Sequence, residues 1–153
     1  LMPKASVKRL IECKKNDLIN LVLDIEKYPE FVPFCFDAKI HENKNEGDLN
    51  KIIADLTIGK GPFKDTYKSD VLFNKKTDTI FVKNIDGPLK HLSNNWKFTD
   101  KKNGITEVFF DIDFEIKNQF LNSLMVVSFQ FGLDKIADAF QKRAEELFGN
   151  SKN

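Results

Sequence analysis

The side chains that could do acid–base chemistry do not form a shared pattern in this sequence. Asp111, Asp113 and Glu115 alternate along one segment, and paired carboxylates can act as general acid and general base. The residues between them are apolar, so we interpret the three carboxylates as the solvated face of a strand. His41 and His91 are the only histidines, and no serine, cysteine or carboxylate is tied to either by spacing. The sequence therefore predicts no catalytic residue.

Two further patterns have a simpler interpretation than a ligand site. Residues 59–62 read Gly-Lys-Gly-Pro, but they lack the spacing of a phosphate-binding loop and separate two predicted strands, which favours a turn. Cys13 and Cys35 do not have CxxC spacing, so we expect two reduced, packed thiols rather than a disulfide or a zinc site. The sequence predicts neither a metal nor a cofactor.

The composition is that of a globular protein with little net charge. Its 153 residues are 41% hydrophobic and 31% charged, with a net charge of +1. A charge this small gives little attraction for nucleic acid, and cations that are almost all lysine disfavour bidentate reading of bases. We therefore expect one domain over residues 1–153 that does not bind DNA.

Alternating apolar residues in the middle of the chain predict a β-sheet. A first strand is expected over residues 6–12, followed by a short helix capped by Asn16 and a helical turn at residues 27–31. Six further strands are separated by turn-forming residues, such as the polar run 43–48. Short turns imply antiparallel neighbours. The predicted fold is α+β, with a curved antiparallel sheet of six or seven strands.

The last third of the chain predicts one long helix with two unlike halves. Residues 119–148 contain no helix breaker except Gly132, residues 120–133 carry no charge, and residues 134–146 are amphipathic. The uncharged half needs cover on both sides, from protein, a bound hydrophobic molecule or a membrane surface. We expect the sheet to wrap around this helix and to leave an apolar cavity unless side chains fill it. Gly132 then marks either a close approach of helix to sheet or a gap for a ligand.

Three segments resemble a known family. Residues 21–35 read LVLDIEKYPEFVPFC, residues 86–98 read DGPLKHLSNNWKF, and FEIKNQFLNSLM leads into the long helix. Together with the order of elements, they resemble the coenzyme Q-binding, START-like (polyketide cyclase/dehydrase) family, whose bacterial members are also named ribosome-association toxins. The resemblance covers about residues 5–149 and implies the helix-grip (START/Bet v 1-like) fold with a deep apolar cavity. Phe34 stands where the family often has tryptophan. Phenylalanine keeps the apolar area but has no indole N–H to donate a hydrogen bond.

The resemblance implies a non-enzymatic binding protein for ubiquinone or a similar isoprenoid lipid. Such a protein would act as a quinone carrier or chaperone that supports respiration and ubiquinone biosynthesis. We expect Phe31, Val32 and Phe34 to form the mouth of the cavity. The other expected ligand-binding residues, each equally explained as core, are Tyr28, Leu89, Leu92, Trp96, Phe110, Phe114, Leu121, Met125 and Phe129.

Two other functions remain open. The naming of relatives suggests binding to the large ribosomal subunit and a block of subunit joining, although the lysines are scattered rather than striped. An enzyme of the aromatic polyketide cyclase type would need polar groups aimed into the cavity, such as Tyr67, Ser69, Asn94 or Asn95.

The second apolar side of the uncharged half-helix is a candidate for membrane contact. It consists of Phe120, Leu124, Val127 and Phe131, and exposure of these residues would make them the best docking surface. The chain has no apolar run of the length that spans a bilayer. We expect a cytoplasmic protein, with peripheral contact at the inner face of the membrane if this surface is exposed.

Overall fold

A seven-stranded antiparallel sheet and one long helix make up most of the fold. The computed structural model describes residues 4–149, apart from the side chains of Leu121 and of residues 124–128. Two short 3₁₀ helices lie at Ile25–Glu30 and Lys102–Gly104. The strands and α-helices are β1 (Lys4–Ile11), α1 (Lys15–Leu23), β2 (Cys35–Glu46), β3 (Leu49–Lys60), β4 (Phe63–Asn74), β5 (Thr79–Asp86), β6 (Leu89–Asp100), β7 (Thr106–Ile116) and α2 (Gln119–Phe148).

The strands lie in the order β1-β7-β6-β5-β4-β3-β2, and all neighbours are antiparallel. Strands β2 to β7 form a meander of consecutive hairpins, whereas β1 pairs beside β7 with Lys4 opposite Asp113. The register shifts within β2, between β4 and β5, and between β6 and β7. Bulges of this kind bend and twist strands, which lets the sheet curve around α2.

Side chains of α2 form hydrogen bonds with the backbone of β1, an edge strand of the sheet, and with that of Glu12 just after it. Gln130 donates to the carbonyl of Ser6 at 3.4 Å, Gln141 donates to the carbonyl of Leu10 at 3.3 Å, and Glu145 accepts from the N–H of Glu12 at 3.0 Å. An ion pair between Arg9 and Asp138 at 2.6 Å adds to these contacts. The helix therefore holds β1 in place and covers backbone groups that an exposed edge would offer to another chain.

The main core lies between the sheet and the second half of α2. Leu133, Phe140 and Ala144 are buried there on one side of the helix, two turns and then one turn apart, as the amphipathic pattern predicts. The buried face of α1, Leu18 to Val22, closes one end of this core. The predicted long helix is confirmed with its bounds at 119 and 148.

Two local predictions are wrong. Asn16 lies inside α1 rather than capping it, because the helix begins one residue earlier and has no side-chain cap. Residues 43–46 continue β2, and the turn is limited to residues 47–48. The polar run remains extended because the Asn50 amide donates across the hairpin to the side chain of Asn43 at 2.7 Å and to the carbonyl of Lys44 at 3.1 Å.

Candidate functional site

The predicted mouth is a short loop that joins the first 3₁₀ helix to β2 and lies against α2. The N–H of Val32 donates to the carbonyl of Tyr28 at 2.8 Å, and the N–H of Gly59 donates to the carbonyl of Phe34 at 3.0 Å. Phe34 has a φ of +69°, a left-handed conformation that bulky residues rarely adopt. Its ring lies 3.9 Å from the position a Cβ on Gly132 would occupy. Gly132 therefore meets the mouth loop rather than the sheet.

Four of the predicted ligand-binding residues meet in an aromatic cluster around Phe140. The Phe140 ring centroid lies 5.4 Å from Tyr28, 5.2 Å from Phe31 and 5.3 Å from Trp96, all edge to face. The ring centroids of Trp96 and Phe110 lie 4.2 Å apart. The cavity beside this cluster holds about 20 Å³, which is room for one water molecule. These residues therefore pack as core around Phe140, which sequence analysis missed although its helical stripe pointed to it.

Polar contacts tie the aromatic cluster to the neighbouring elements. The Tyr28 hydroxyl donates to the carbonyl of Val22 in α1. The Arg143 guanidinium lies 5.1 Å from the centroid of the Phe31 ring and donates to Glu30 at 2.9 Å. The segment that leads into the mouth loop is thus attached to both α1 and α2. The mouth loop joins this fixed segment to β2.

A second group of predicted residues lines the concave face of the sheet under the first half of α2. Leu89, Leu92 and Phe114 are buried there, and Phe129 packs on Phe114 with ring centroids 4.6 Å apart. Two further predicted side chains lie outside the described part of the structure: Leu121 and Met125. The described side chains of this region are large and apolar, which suits a hydrophobic ligand better than a polar one.

Three polar side chains interrupt this apolar face and are themselves buried. Ser69 donates to the carbonyl of Ala54 at 3.3 Å, and Asn94 accepts from the indole N–H of Trp96 at 3.0 Å. Tyr67 lies on the same face of β4 as Ser69 and is 8% exposed. Burial raises the pKa of the Tyr67 phenol, which therefore stays protonated.

The acidic row of β7 occupies the outer face of the sheet. Each carboxylate has a polar partner on β6: Asp111 accepts from Asn95 at 3.1 Å, Asp113 contacts His91, and Glu115 lies 3.5 Å from Lys90. Asn95 is consequently turned away from the concave face, unlike the cyclase-type arrangement considered above. These carboxylates are separated by the sheet from the candidate ligand region.

Both cysteines are free and buried. Burial raises the pKa of the Cys13 thiol and of the Cys35 thiol to about 11. The Cys35 thiol donates to the carbonyl of Asp37 at 3.7 Å. In the described part of the chain, no three His, Cys, Asp or Glu side chains are grouped so that they could hold a metal ion.

Stability should fall as the pH rises from about 9 to about 11, because the cysteine thiols ionise later in the folded protein than in the unfolded chain. Below pH 9 the thiols are protonated in both the folded and the unfolded chain, so their contribution to stability does not change with pH. Urea unfolding across this range should show a shallower decline for the double variant Cys13→Ala/Cys35→Ala than for the unmodified chain. Identical pH slopes for the two proteins would contradict the burial argument.

The outward side of α2 carries exposed aromatic side chains. Phe120 and Phe131 are 70% and 65% exposed, and they lie about three helical turns apart on one side. The Lys135 ammonium lies 4.8 Å from the centroid of the Phe131 ring. The other two residues of the predicted stripe have side chains outside the described part: Leu124 and Val127. Among the described helices, none is long and apolar enough to cross a bilayer.

A long helix held in a curved antiparallel sheet, with an apolar concave face and an aromatic mouth, defines a START-like protein of the helix-grip fold. The profile of the family described as polyketide cyclase/dehydrase and lipid transport matches residues 14–141. The chain therefore belongs to this family.

Two relatives bear different functional names. The mitochondrial coenzyme Q-binding protein COQ10 of Dictyostelium discoideum is 33% identical over 140 residues, which cover 90% of this chain and 67% of that protein. The ribosome association toxin RatA of Rickettsia prowazekii is 30% identical over 142 residues, which cover 91% of this chain and 94% of the toxin.

Solved structures agree on the fold. A START superfamily protein from Mycobacterium smegmatis superposes with a TM-score of 0.80 at 18% identity, covering 94% of this chain and 98% of that one. The Zhui aromatase/cyclase from a Streptomyces species superposes with a TM-score of 0.81 at 12% identity, covering 100% and 99%. At these identities the similarity shows the fold alone.

Proposed function

We propose that this protein binds an isoprenoid quinone between its sheet and the first half of α2, and carries or presents it without transforming it. The observation that carries the proposal is the buried apolar surface of Leu89, Leu92 and Phe114 beneath an uncharged half-helix. An isoprenoid tail placed there gains roughly 25 cal/mol per Å² of apolar surface removed from water. The similarity to a coenzyme Q-binding protein supports this ligand class.

The mouth loop provides the route for the ligand. The positive φ of Phe34 costs free energy in the closed arrangement, on the order of 1–3 kcal/mol for such backbone conformations. Its ring rests on Gly132, which offers no side chain to interlock with it. Displacing Phe34 therefore relieves this strain and uncovers the concave face beside α2, while Phe31 stays packed on Phe140.

The membrane is the natural source of such a ligand, and the outward side of α2 is the docking surface. The exposed rings of Phe120 and Phe131 can enter the interface between headgroups and acyl chains. Lys117 and Lys135 lie near the two ends of this surface, and neither forms a salt bridge with another described residue. Their charge favours anionic lipid. The protein would thus act peripherally, at the inner face of the membrane.

Two measurements on the purified protein test the quinone proposal. Organic extraction followed by mass spectrometry should recover an isoprenoid lipid, and titration with a short-chain ubiquinone should saturate. A ligand that binds the native state but not the unfolded state stabilises the fold, so the unfolding temperature should rise with quinone concentration. No extracted lipid together with no saturable binding would refute the proposal.

Ribosome binding is the second candidate, favoured by the similarity to a ribosome association toxin across 94% of the toxin's length. In this function the protein would bind the large subunit and hinder subunit joining. Added protein should then shift sucrose gradients from joined ribosomes toward free subunits, and the shift should weaken with salt. Unchanged gradients at saturating protein would exclude this function under those conditions.

A further inference from the structure

One polar group of the concave face lacks the partner that its neighbours have. Tyr67 lies on β4, opposite Leu56 of β3, and the turn after β5 packs directly on it. A Cβ added to Gly87 would come within 2.7 Å of the Tyr67 Cβ, so only glycine allows this approach. The tyrosine is therefore fixed at its base and projects from the concave face near the mouth end of the sheet.

The hydroxyl of Tyr67 makes no hydrogen bond with any residue that the structure describes. Other hydroxyls of the core are satisfied, since half-buried Tyr28 donates to the carbonyl of Val22, and buried Ser69 and Thr106 donate to those of Ala54 and Cys13. Tyr67 is nonetheless 92% buried, as its exposed fraction is 8%. A phenol that is so largely enclosed, and whose hydrogen bond no described residue accepts, is free to donate that bond to a bound molecule or to water.

The Tyr67 oxygen is also not sealed from its surroundings. Across the described residues, the one enclosed side-chain polar atom without a partner is Nε of Arg143. The phenol oxygen therefore keeps some accessible surface that a small molecule can reach. A ligand atom that reaches this oxygen could accept the hydrogen bond that no described residue accepts.

The polar groups of this face select against a charged ligand. Asn94 is 8% exposed, and its oxygen is fixed by the Trp96 N–H, so its remaining groups are amide donors. Both arginines are engaged elsewhere, Arg9 with Asp138 and Arg143 with Glu30. On β4, Lys64 and Lys68 alternate with Tyr67 and so fall on the other face. A carboxylate or phosphate buried here would lack a counter-charge.

We infer that the Tyr67 hydroxyl donates a hydrogen bond to the neutral carbonyl oxygen of the bound lipid, and so selects a quinone-type head over fatty acids and phospholipids. The inference rests on the proposed function, because it presumes a lipid between sheet and helix. It adds the residue that recognises the head and the chemical class that the head must have. The apolar residues around it bind any tail, whereas Tyr67 distinguishes between heads.

The test compares Tyr67→Phe with Ser69→Ala, which removes a satisfied hydroxyl from the same face of the same strand. The probes are a short-chain ubiquinone and squalene, an isoprenoid hydrocarbon without oxygen. Tyr67→Phe should weaken ubiquinone binding about tenfold, the value of one hydrogen bond, and leave squalene binding unchanged. It should not lower the unfolding temperature of the ligand-free protein. Ser69→Ala should lower that temperature and change neither affinity.

Infrared spectroscopy gives a second readout that packing alone would not alter. The carbonyl stretch of bound ubiquinone should lie at lower frequency in the unmodified protein than in Tyr67→Phe, because a hydrogen bond weakens the C=O bond. If the unmodified protein binds both probes and Tyr67→Phe binds ubiquinone equally well, the inference is overturned and the proposed function stands. If the unmodified protein binds neither probe, the proposed function fails, and the inference fails with it.

Discussion

Replacing Phe140 by alanine should lower the free energy of unfolding by about 3–5 kcal/mol, the cost of deleting a large buried aromatic side chain. Its ring is 5% exposed and contacts Tyr28, Phe31 and Trp96. The substitution removes the shared partner of the cluster and leaves a cavity that the edge-to-face rings cannot easily fill. Urea unfolding followed by tryptophan fluorescence measures the loss directly, because Trp96 is the only tryptophan.

The matched control is Phe148→Ala, eight residues further along the same helix. Phe148 is 39% exposed, so its removal should cost well below half as much. The same two variants should differ little in quinone affinity if the aromatic cluster is core rather than ligand contact. A loss below about 1 kcal/mol for Phe140→Ala would mean that the cluster is loosely packed, in conflict with the observed ring contacts.

The double substitution Phe120→Glu/Phe131→Glu should reduce binding to vesicles that contain anionic lipid by more than about 100-fold. Burying one phenylalanine side chain gains roughly 1.5–3 kcal/mol, so losing two accounts for a change of that size. The introduced carboxylates are also repelled by anionic headgroups. Both residues are exposed already, so the fold should tolerate the change. Co-sedimentation with vesicles measures the effect.

The control for this experiment is the double variant Leu10→Glu/Phe81→Glu. These side chains are 58% and 40% exposed on strands β1 and β5, and neither belongs to the outward side of α2 that carries Phe120 and Phe131. The control introduces the same charge and should bind vesicles nearly as well as the unmodified protein. Equal losses for both double variants would show that net charge, rather than the helix surface, governs the interaction.

Much of the fold could be predicted from periodicity, because each strand alternates and each turn is short. The long helix was predicted with its observed bounds because residues 119–148 contain no helix breaker except Gly132. The conformation of the mouth loop could not be predicted, since nothing in the local sequence indicates the positive φ of Phe34 or places its ring beside Gly132, almost a hundred residues away. Propensity describes local preferences, and this conformation is imposed by tertiary packing.

The ligand-binding residues stay predictions, because the sequence indicates that they are apolar but not how they are arranged. Tyr28, Phe31, Trp96 and Phe110 were expected as a ligand surface, yet they pack together around Phe140. Sequence cannot distinguish a lining aromatic from a core aromatic, because both need the same apolar position on the same face. The role of Tyr67 was equally hidden, because it depends on which hydroxyls find partners after folding.

The pairing of β1 with β7 also constrains how the chain is made. Lys4 pairs with Asp113 and Ile11 with Thr106, so β1 has no neighbouring strand until β7 has left the ribosome. At a synthesis rate of roughly 5–20 residues per second, the interval is on the order of 5–20 s. Each hairpin from β2 onward can meanwhile close on its predecessor as it emerges. Strand β1 is therefore among the last of these strands to join the sheet, and α2 secures it only after residues 119–148 have followed.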